Sequence, residues 1–599
     1  MPSRRSRYPH LATLCLALSV AQAPLAADPA QDEPLEQSIK VPPRSIKDIT
    51  RMLSDYRQHD DLVARLTAIA DAAPPADADR KTLFDFYWQR GLTAGQLGRV
   101  QQQIADLRSA TDNGTTGTSE YARALRNLAG AELSGGNYQS ALHYIRQAIP
   151  HIQSSGRGQL TGAYHQIVSI ASQVGDFEMA QANLRELETT LNSLRNSKGW
   201  ANSSHSWLAN YARARGDFLR LSGKMSEAET AYREAARETD KVIAELPGNR
   251  APAGDRPNVD AMAGQAEAIQ RSIAQTLVAQ GRLIDAEATA RATLEKTLKR
   301  TGNASPDVAR GLNLLAKILA EQGRYPESAK LAEASLEVTL RSGAAPDSLP
   351  VLTAHRATLA AQVALGNDSA ALAIYDKIVA LTANNPEQTK RLRGGDLDVV
   401  LALIRTGQAA KAEQMSTLML DTAIKTQGES ALRTAEVEAF QAMALADLKQ
   451  YERAFKSFRK AIPILIERVR TESDAETAST RRQERLVIVI ERYLGLLSEM
   501  QAQGQLRADF DAANEAFVMA DFARGSSVQR ALTRSAARAT IRDPDLADLA
   551  RKEQDAQRRA SSLSDILSSL LAAPPEQQLP VIQGKIRAEI TALQANAHN

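Results

Sequence analysis

The feature that most constrains this chain is a spacing. Small residues recur at Ala286, Ser328, Ala371, Ala412 and Ala454, in steps of about 42 residues, which is a repeat period. A turn glycine precedes the first four by five residues, at Gly281, Gly323, Gly366 and Gly407. Lys449 stands in its place in the fifth, and Tyr451 keeps the aromatic after the turn. Ser305 to Gly343 shows what one copy contains. Leu312, Leu315, Ala316 and Leu319 form one apolar stripe at helical spacing, and Gly323 ends that helix. Tyr325 covers the turn and Pro326 opens the next helix, where a first-turn proline is tolerated. Ser328, Leu331, Ala332, Ser335 and Leu336 rebuild the stripe. Ser328 is small because the two helices cross there.

Earlier copies are legible at Gly98, at Gly136 with Ala141, at Gly175 with Ala180, and at Gly223 with Ala228. The reading is about nine helical hairpins in a row, each packing only on its neighbours. A chain of 599 residues is too long for one core but not for such an array. Sparse aromatics, 4% of the chain, argue against a β-rich fold.

The segment LAGAELSGGNYQSALHYIRQAI (Leu128 to Ile149) resembles the tetratricopeptide repeat in its small and aromatic positions. The long period looks like the extended variant of that repeat. The resemblance implies an all-α, right-handed α-α superhelix that binds other proteins, followed here by a C-terminal helical hairpin.

Along the chain, residues 1–27 read as a signal peptide. Arg4, Arg5 and Arg7 precede the apolar run Leu11 to Ala21, and Leu25-Ala26-Ala27 offers small residues for cleavage. A twin-arginine reading of Ser3-Arg4-Arg5 competes with the ordinary secretory one, although Arg7 and Tyr8 stand where that motif wants apolar residues. The location implied is periplasmic or secreted. Cys15, the one cysteine, lies in this leader, so the mature chain has no thiol chemistry. The 73 basic residues less the three leader arginines equal the 70 acidic ones, which speaks against wholesale nucleic-acid binding. Residues 28–45 read as a proline-containing linker, 46–470 as the repeat superhelix, 471–542 as post-repeat helices and 543–599 as a coiled-coil-like hairpin. Gly248 to Asp260 reads as a long surface loop, with a hinge as the competing reading. The hairpin's thin apolar seam is Leu549, Leu563, Ile566 and Leu570, and it offers a route to a homodimer.

The C-terminal part carries a second resemblance. AFVMADFARGSSVQRAL (Ala516 to Leu532) and DPDLADLARKEQDAQRR (Asp543 to Arg559) look like the segment that follows the repeats in bacterial proteins ending in a CHAT domain. That domain is caspase-like, with a catalytic His and Cys. It would begin beyond Asn599, and no catalytic residue carries over. The alternative function this implies is the sensor portion of a CHAT-type protease.

Chemistry-bearing motifs are few. The eight histidines form no HxH or HExxH spacing, so no metal site is expected. Gly156-Arg157-Gly158 reads as a helix-to-helix turn rather than a phosphate loop. Ser457-Phe458-Arg459-Lys460 matches a bare S-x-x-K, but Phe458 lies on a core stripe. Trp88, Trp200 and Trp207 read as packing residues, with Trp207 opening a repeat helix. No catalytic residue and no cofactor are expected, and the chain reads as a non-enzyme.

The candidate site comes from counting. In such arrays the first helix of each hairpin lines the concave face. Stepping back fifteen residues from each small crossing residue gives Arg126, His165, Arg213, Arg271, Asn313 and Arg356. Arg123, Arg220, Arg310 and Lys317 stand at adjacent positions. A row of guanidinium forks suits an extended partner segment carrying Asp, Glu or a free C-terminal carboxylate. The competing reading pairs each arginine with an acid of the next repeat, as Asp217 and Glu321 would allow.

Overall fold

The structure, a computed structural model, describes residues 45–56, 60–246, 258–342, 344–384, 396–473, 479–524 and 579–598, with isolated positions between 556 and 570. Among the described residues there are 23 α-helices and no strand. Helices α1 (Lys47–Asp55) and α2 (Asp60–Ala70) precede a run of antiparallel hairpins. These pair α3 (Arg80–Gln96) with α4 (Val100–Asn113), α5 (Ser119–Ser134) with α6 (Tyr138–Ser155), and α7 (Leu160–Val174) with α8 (Phe177–Leu194). Next come α9 (Trp200–Leu221) with α10 (Met225–Glu245), α11 (Val259–Gln280) with α12 (Leu283–Thr301), and α13 (Pro306–Glu321) with α14 (Tyr325–Arg341). The last three are α15 (Leu349–Ala364) with α16 (Asp368–Leu381), α17 (Leu397–Arg405) with α18 (Ala409–Gln427), and α19 (Leu432–Asp447) with α20 (Tyr451–Ser473). Then follow α21 (Thr480–Ala502), α22 (Ala512–Arg524) and α23 (Pro580–His598).

The fold is therefore the all-α superhelical array that the period implies, with nine hairpins among the described residues. Its punctuation is physical. The turns at Gly98, Gly136, Gly175, Gly223, Gly281, Gly323, Gly366 and Gly407 all have φ between +74° and +89°, where a Cβ is penalised. Lys449 takes the same left-handed conformation at φ +59°. The small residues Ala141, Ala180, Ala228, Ala286, Ala371, Ala412 and Ala454 have no exposed surface at all. Ser328 is 3% exposed, and its hydroxyl donates to the carbonyl of Ala316 on the facing helix at 2.7 Å. There a larger side chain would hold the helices apart.

Successive windings of the array touch. A Cβ on Gly98 would lie 2.8 Å from Ser342 Oγ and 3.0 Å from Pro306 Cγ, so the first turn rests on α13 and α14. One on Gly175 would lie 3.2 Å from Thr426 Cγ2, at the end of α18. Helix α1 packs Ile49 and Met52 into the core formed by α9 to α14. Helix α21 buries Leu486, Ile490, Tyr493 and Leu497 against α19 and α20, closing the last hairpin.

Trp207 does not open a helix: α9 starts at Trp200, and Trp207 lies in its second turn, covering Gly158. That turn, Arg157–Gln159, is a short 3-10 segment between α6 and α7, as expected for a connector. Phe458 is fully buried, so the S-x-x-K lies on a packed helix face. The signal peptide, Cys15, most of the linker, most of Gly248 to Asp260 and most of the C-terminal hairpin lie outside the described residues. Of its seam, Leu563, Ile566 and Leu570 are buried, and Arg559 pairs with Glu589 of α23 at 2.6 Å. Among the described residues no helix is long and apolar enough to cross a membrane.

Candidate functional site

The six counted positions fall on the first helices of six successive hairpins: Arg126 on α5, His165 on α7, Arg213 on α9, Arg271 on α11, Asn313 on α13 and Arg356 on α15. The structure brings neighbours in this row together, and most of them are held by the next repeat. Arg126 Nε donates to Gln166 Oε1 at 3.3 Å, and its guanidinium lies over Gly162. Arg271 donates to Asp307 Oδ1 at 3.1 Å, and Arg356 donates to Asp396 Oδ2 at 3.1 Å. Each step runs from one first helix to the following one or to its N-cap, so the row is an inter-repeat ladder. Arg310 joins it by donating to Asp307 at 2.7 Å. Burial alone would raise Asp307 and Asp396. The guanidiniums of Arg310, Arg271 and Arg300 pull Asp307 down to about 2, and Arg356 together with the Asp398 amide does the same for Asp396.

The middle of the row differs. His165 is 9% exposed, and its Nε2 lies 3.6 Å from Asp217 Oδ2, an ion-pair distance too long for a hydrogen bond. Tyr232 donates to Asp217 Oδ1 at 2.6 Å and accepts from Arg220 Nε at 3.2 Å. Arg213 makes no hydrogen bond or ion pair among the described residues. Burial, and then the nearby charge of Arg213, depresses the proton affinity of His165. Burial also lowers that of Arg213, and brings Arg126, beside Arg123, down to about 10. Arg213 and Arg220 both lie in the field of a single carboxylate, Asp217, so this stretch carries surplus positive charge.

Towards the C-terminal end, counting missed part of the site. A cavity of about 520 Å³ opens beside Asn313 and Arg356. Lys317, Arg356, Arg433, Arg481, Arg482 and Arg485 line it, with Glu321, Asp396, Asp398 and Glu436. Three of those arginines belong to α21, which folds back so that its first turns enter the array. Ser479, the N-cap of α21, donates to Glu321 at 2.6 Å and accepts from the Arg482 amide at 3.0 Å. Arg481 donates to Asp398 Oδ1 at 2.6 Å, and Arg485 donates to the same oxygen. The sequence signal was available in Ser479 followed by Arg481, Arg482 and Arg485, three cations at the start of a helix, where the helix dipole disfavours them.

No curated protein sequence matches the chain. Among solved structures, it is similar to a Rap protein complexed with competence and sporulation factor, at 10% identity, covering 70% of this chain and 98% of that one, with a TM-score of 0.37. It is also similar to a human IFIT1 dimer with m7Gppp-AAAA, at 16% identity, covering 79% of this chain and 99% of that one, with a TM-score of 0.33. A family profile described as tetratricopeptide repeat matches residues 89–156 and 271–348, so hairpins of that repeat type lie in both halves of the array.

Proposed function

We propose that this chain is a non-enzymatic interaction scaffold of the cell envelope. Its first helices bind an extended partner segment that presents carboxylates. The observation that carries this reading is the contrast within the arginine row. Arg271 and Arg356 are neutralised by Asp307 and Asp396, whereas Arg213 has no hydrogen-bonding or ion-pair partner among the described residues. A guanidinium that lies in the field of Asp217 without bonding to it keeps its bidentate donors available to an incoming carboxylate. Repeat arrays expose such a surface along their whole length, which suits an extended ligand. The leader-like start of the chain and its balanced mature charge support a role outside the cytoplasm with a protein partner.

The test is capture of partners from a periplasmic extract by the chain starting at Asp28, beside an Arg213→Gln variant. A partner held by the wild type and lost by the variant at low salt supports the reading. A partner held equally by both overturns it, since steering and pairing by charge are strongest at low salt.

A further inference from the structure

The cavity between α13, α15, α17, α19 and α21 has a charge balance that the protein leaves unfinished. Six cations line it against four carboxylates. Asp396 takes Arg356 at 3.1 Å. Asp398 is shared by Arg481 and Arg485 through one oxygen. Glu436 is shared by Arg433 at 3.6 Å and Arg482 at 3.7 Å. Glu321 is bonded by the Ser479 hydroxyl. Lys317 makes no hydrogen bond or ion pair among the described residues, although its side chain is exposed within the recess. Desolvation between the walls of the recess lowers its proton affinity, Glu321 and Asp396 pull it up, and the charges of Arg220 and Arg481 push it down. The first turn of α21 adds the positive end of its dipole and contains no acid. Arg481 there is 8% exposed. It shares its carboxylate, Asp398, with Arg485, so the first turn of α21 brings more positive than negative charge to the recess.

We infer that this cavity binds a phosphomonoester group, with Lys317 as its point-charge partner and Arg356 and Arg433 as flanking donors. Two surplus positive charges match a group that carries nearly two negative charges on three oxygens, and donors converge on it from α13, α15, α19 and α21. A volume of about 520 Å³ is that of a small-ligand site rather than of a long groove. The inference shares Arg356 with the proposed partner groove but does not use Arg213, so either reading can fail alone. The phosphoryl group has two sources, a small organic phosphate or a phosphorylated side chain of a partner, and the experiment separates them.

The experiment is calorimetric titration of the full chain at low salt and pH 7.5 with three probes: glycerol 3-phosphate, an N-acetylated tripeptide amide with central phosphoserine, and succinate. At least one phosphate probe binds with one site per chain, and succinate binds at least about tenfold more weakly than it. Lys317→Met weakens phosphate binding at least about tenfold, as expected for loss of a charge-assisted contact. It leaves the thermal midpoint unchanged or raised, because Lys317 holds no partner. Lys299→Met, on the exposed flank of α12, leaves binding unchanged. Tighter binding of the phosphotripeptide assigns the source to a phosphorylated partner, and tighter binding of glycerol 3-phosphate assigns it to a free phosphoester. No heat from either phosphate probe up to about 10 mM overturns the inference. So does succinate binding as tightly as the phosphates, or a folded Lys317→Met variant that binds as the wild type does.

Discussion

Arg291 of α12 hydrogen-bonds Asp48 of α1 across 243 residues of chain, and both side chains are almost wholly buried. The same guanidinium donates to Glu287 at 2.8 Å and to the Ser45 carbonyl at 3.3 Å. Asn303 adds a bond to the Leu53 carbonyl at 2.8 Å. These contacts, with Ile49 and Met52 beneath them, fasten α1 to the middle of the array. Burial raises the proton affinity of Asp48 even against Arg291, so the pair acts as a specific fastener rather than a large source of stability. Removing one partner alone is still expensive. Asp48→Ala is expected to destabilise the chain by about 3–5 kcal/mol and to free α1, seen as earlier cleavage near residue 45 in limited proteolysis. An unchanged cleavage pattern would contradict this.

The turn between α19 and α20 offers a stabilising change. Lys449 is the one non-glycine among the nine turn residues and sits at φ +59°. Lys449→Gly removes the left-handed penalty and is expected to gain about 1 kcal/mol, read as a higher urea midpoint. The reverse holds at Gly323. A Cβ there would sit at φ +77° and 2.8 Å from Thr480 Cγ2. Gly323→Ala is expected to cost about 1–2 kcal/mol and to push α21 away from the cavity that its arginines line.

The arginine row divides into two classes under substitution. Arg271 is 8% exposed and bonded to Asp307, so Arg271→Gln is expected to lower stability by about 2 kcal/mol whatever it does to binding. Arg213→Gln is expected to leave the thermal midpoint unchanged or to raise it, because a half-buried cation that makes no bond costs energy. Parallel melts of the two variants check this, and equal losses would remove the contrast on which the proposed groove rests.

Acid sensitivity follows from Asp307 and Asp396, both held at about 2 against an ordinary value of 3.8. A depressed carboxyl contributes stability above its unfolded pKa and loses it as pH falls through the folded one. Each is expected to contribute about 2 kcal/mol above pH 4 and to lose it between pH 4 and 2. Urea midpoints measured from pH 5 to pH 2.5 should fall steeply at the low end. Asp307→Asn should flatten that fall.

The hairpins were legible in the chain because each is encoded within about forty residues. Helical periodicity, a glycine at a left-handed turn and a small residue at a crossing act between near neighbours, so Gly98 to Gly407 and Ala141 to Ala454 could be located by spacing alone. Even the departure at Lys449 could be read, because the position demanded that conformation whatever residue filled it. The helix identity of Arg126, His165, Arg213, Arg271, Asn313 and Arg356 followed from the same count.

What only the tertiary structure decided was which charges are answered and by what. The bonds from Arg271 to Asp307 and from Arg356 to Asp396 depend on how one hairpin is rotated against the next. The bonds from Arg481 to Asp398, from Ser479 to Glu321 and from Arg291 to Asp48 span 83, 158 and 243 residues. A small rotation per repeat, accumulated over several hairpins, places those partners, and no local pattern records the sum. The repeat was therefore written in the residues, while the cavity at α21 and the fastening of α1 emerged only from the winding of the whole array.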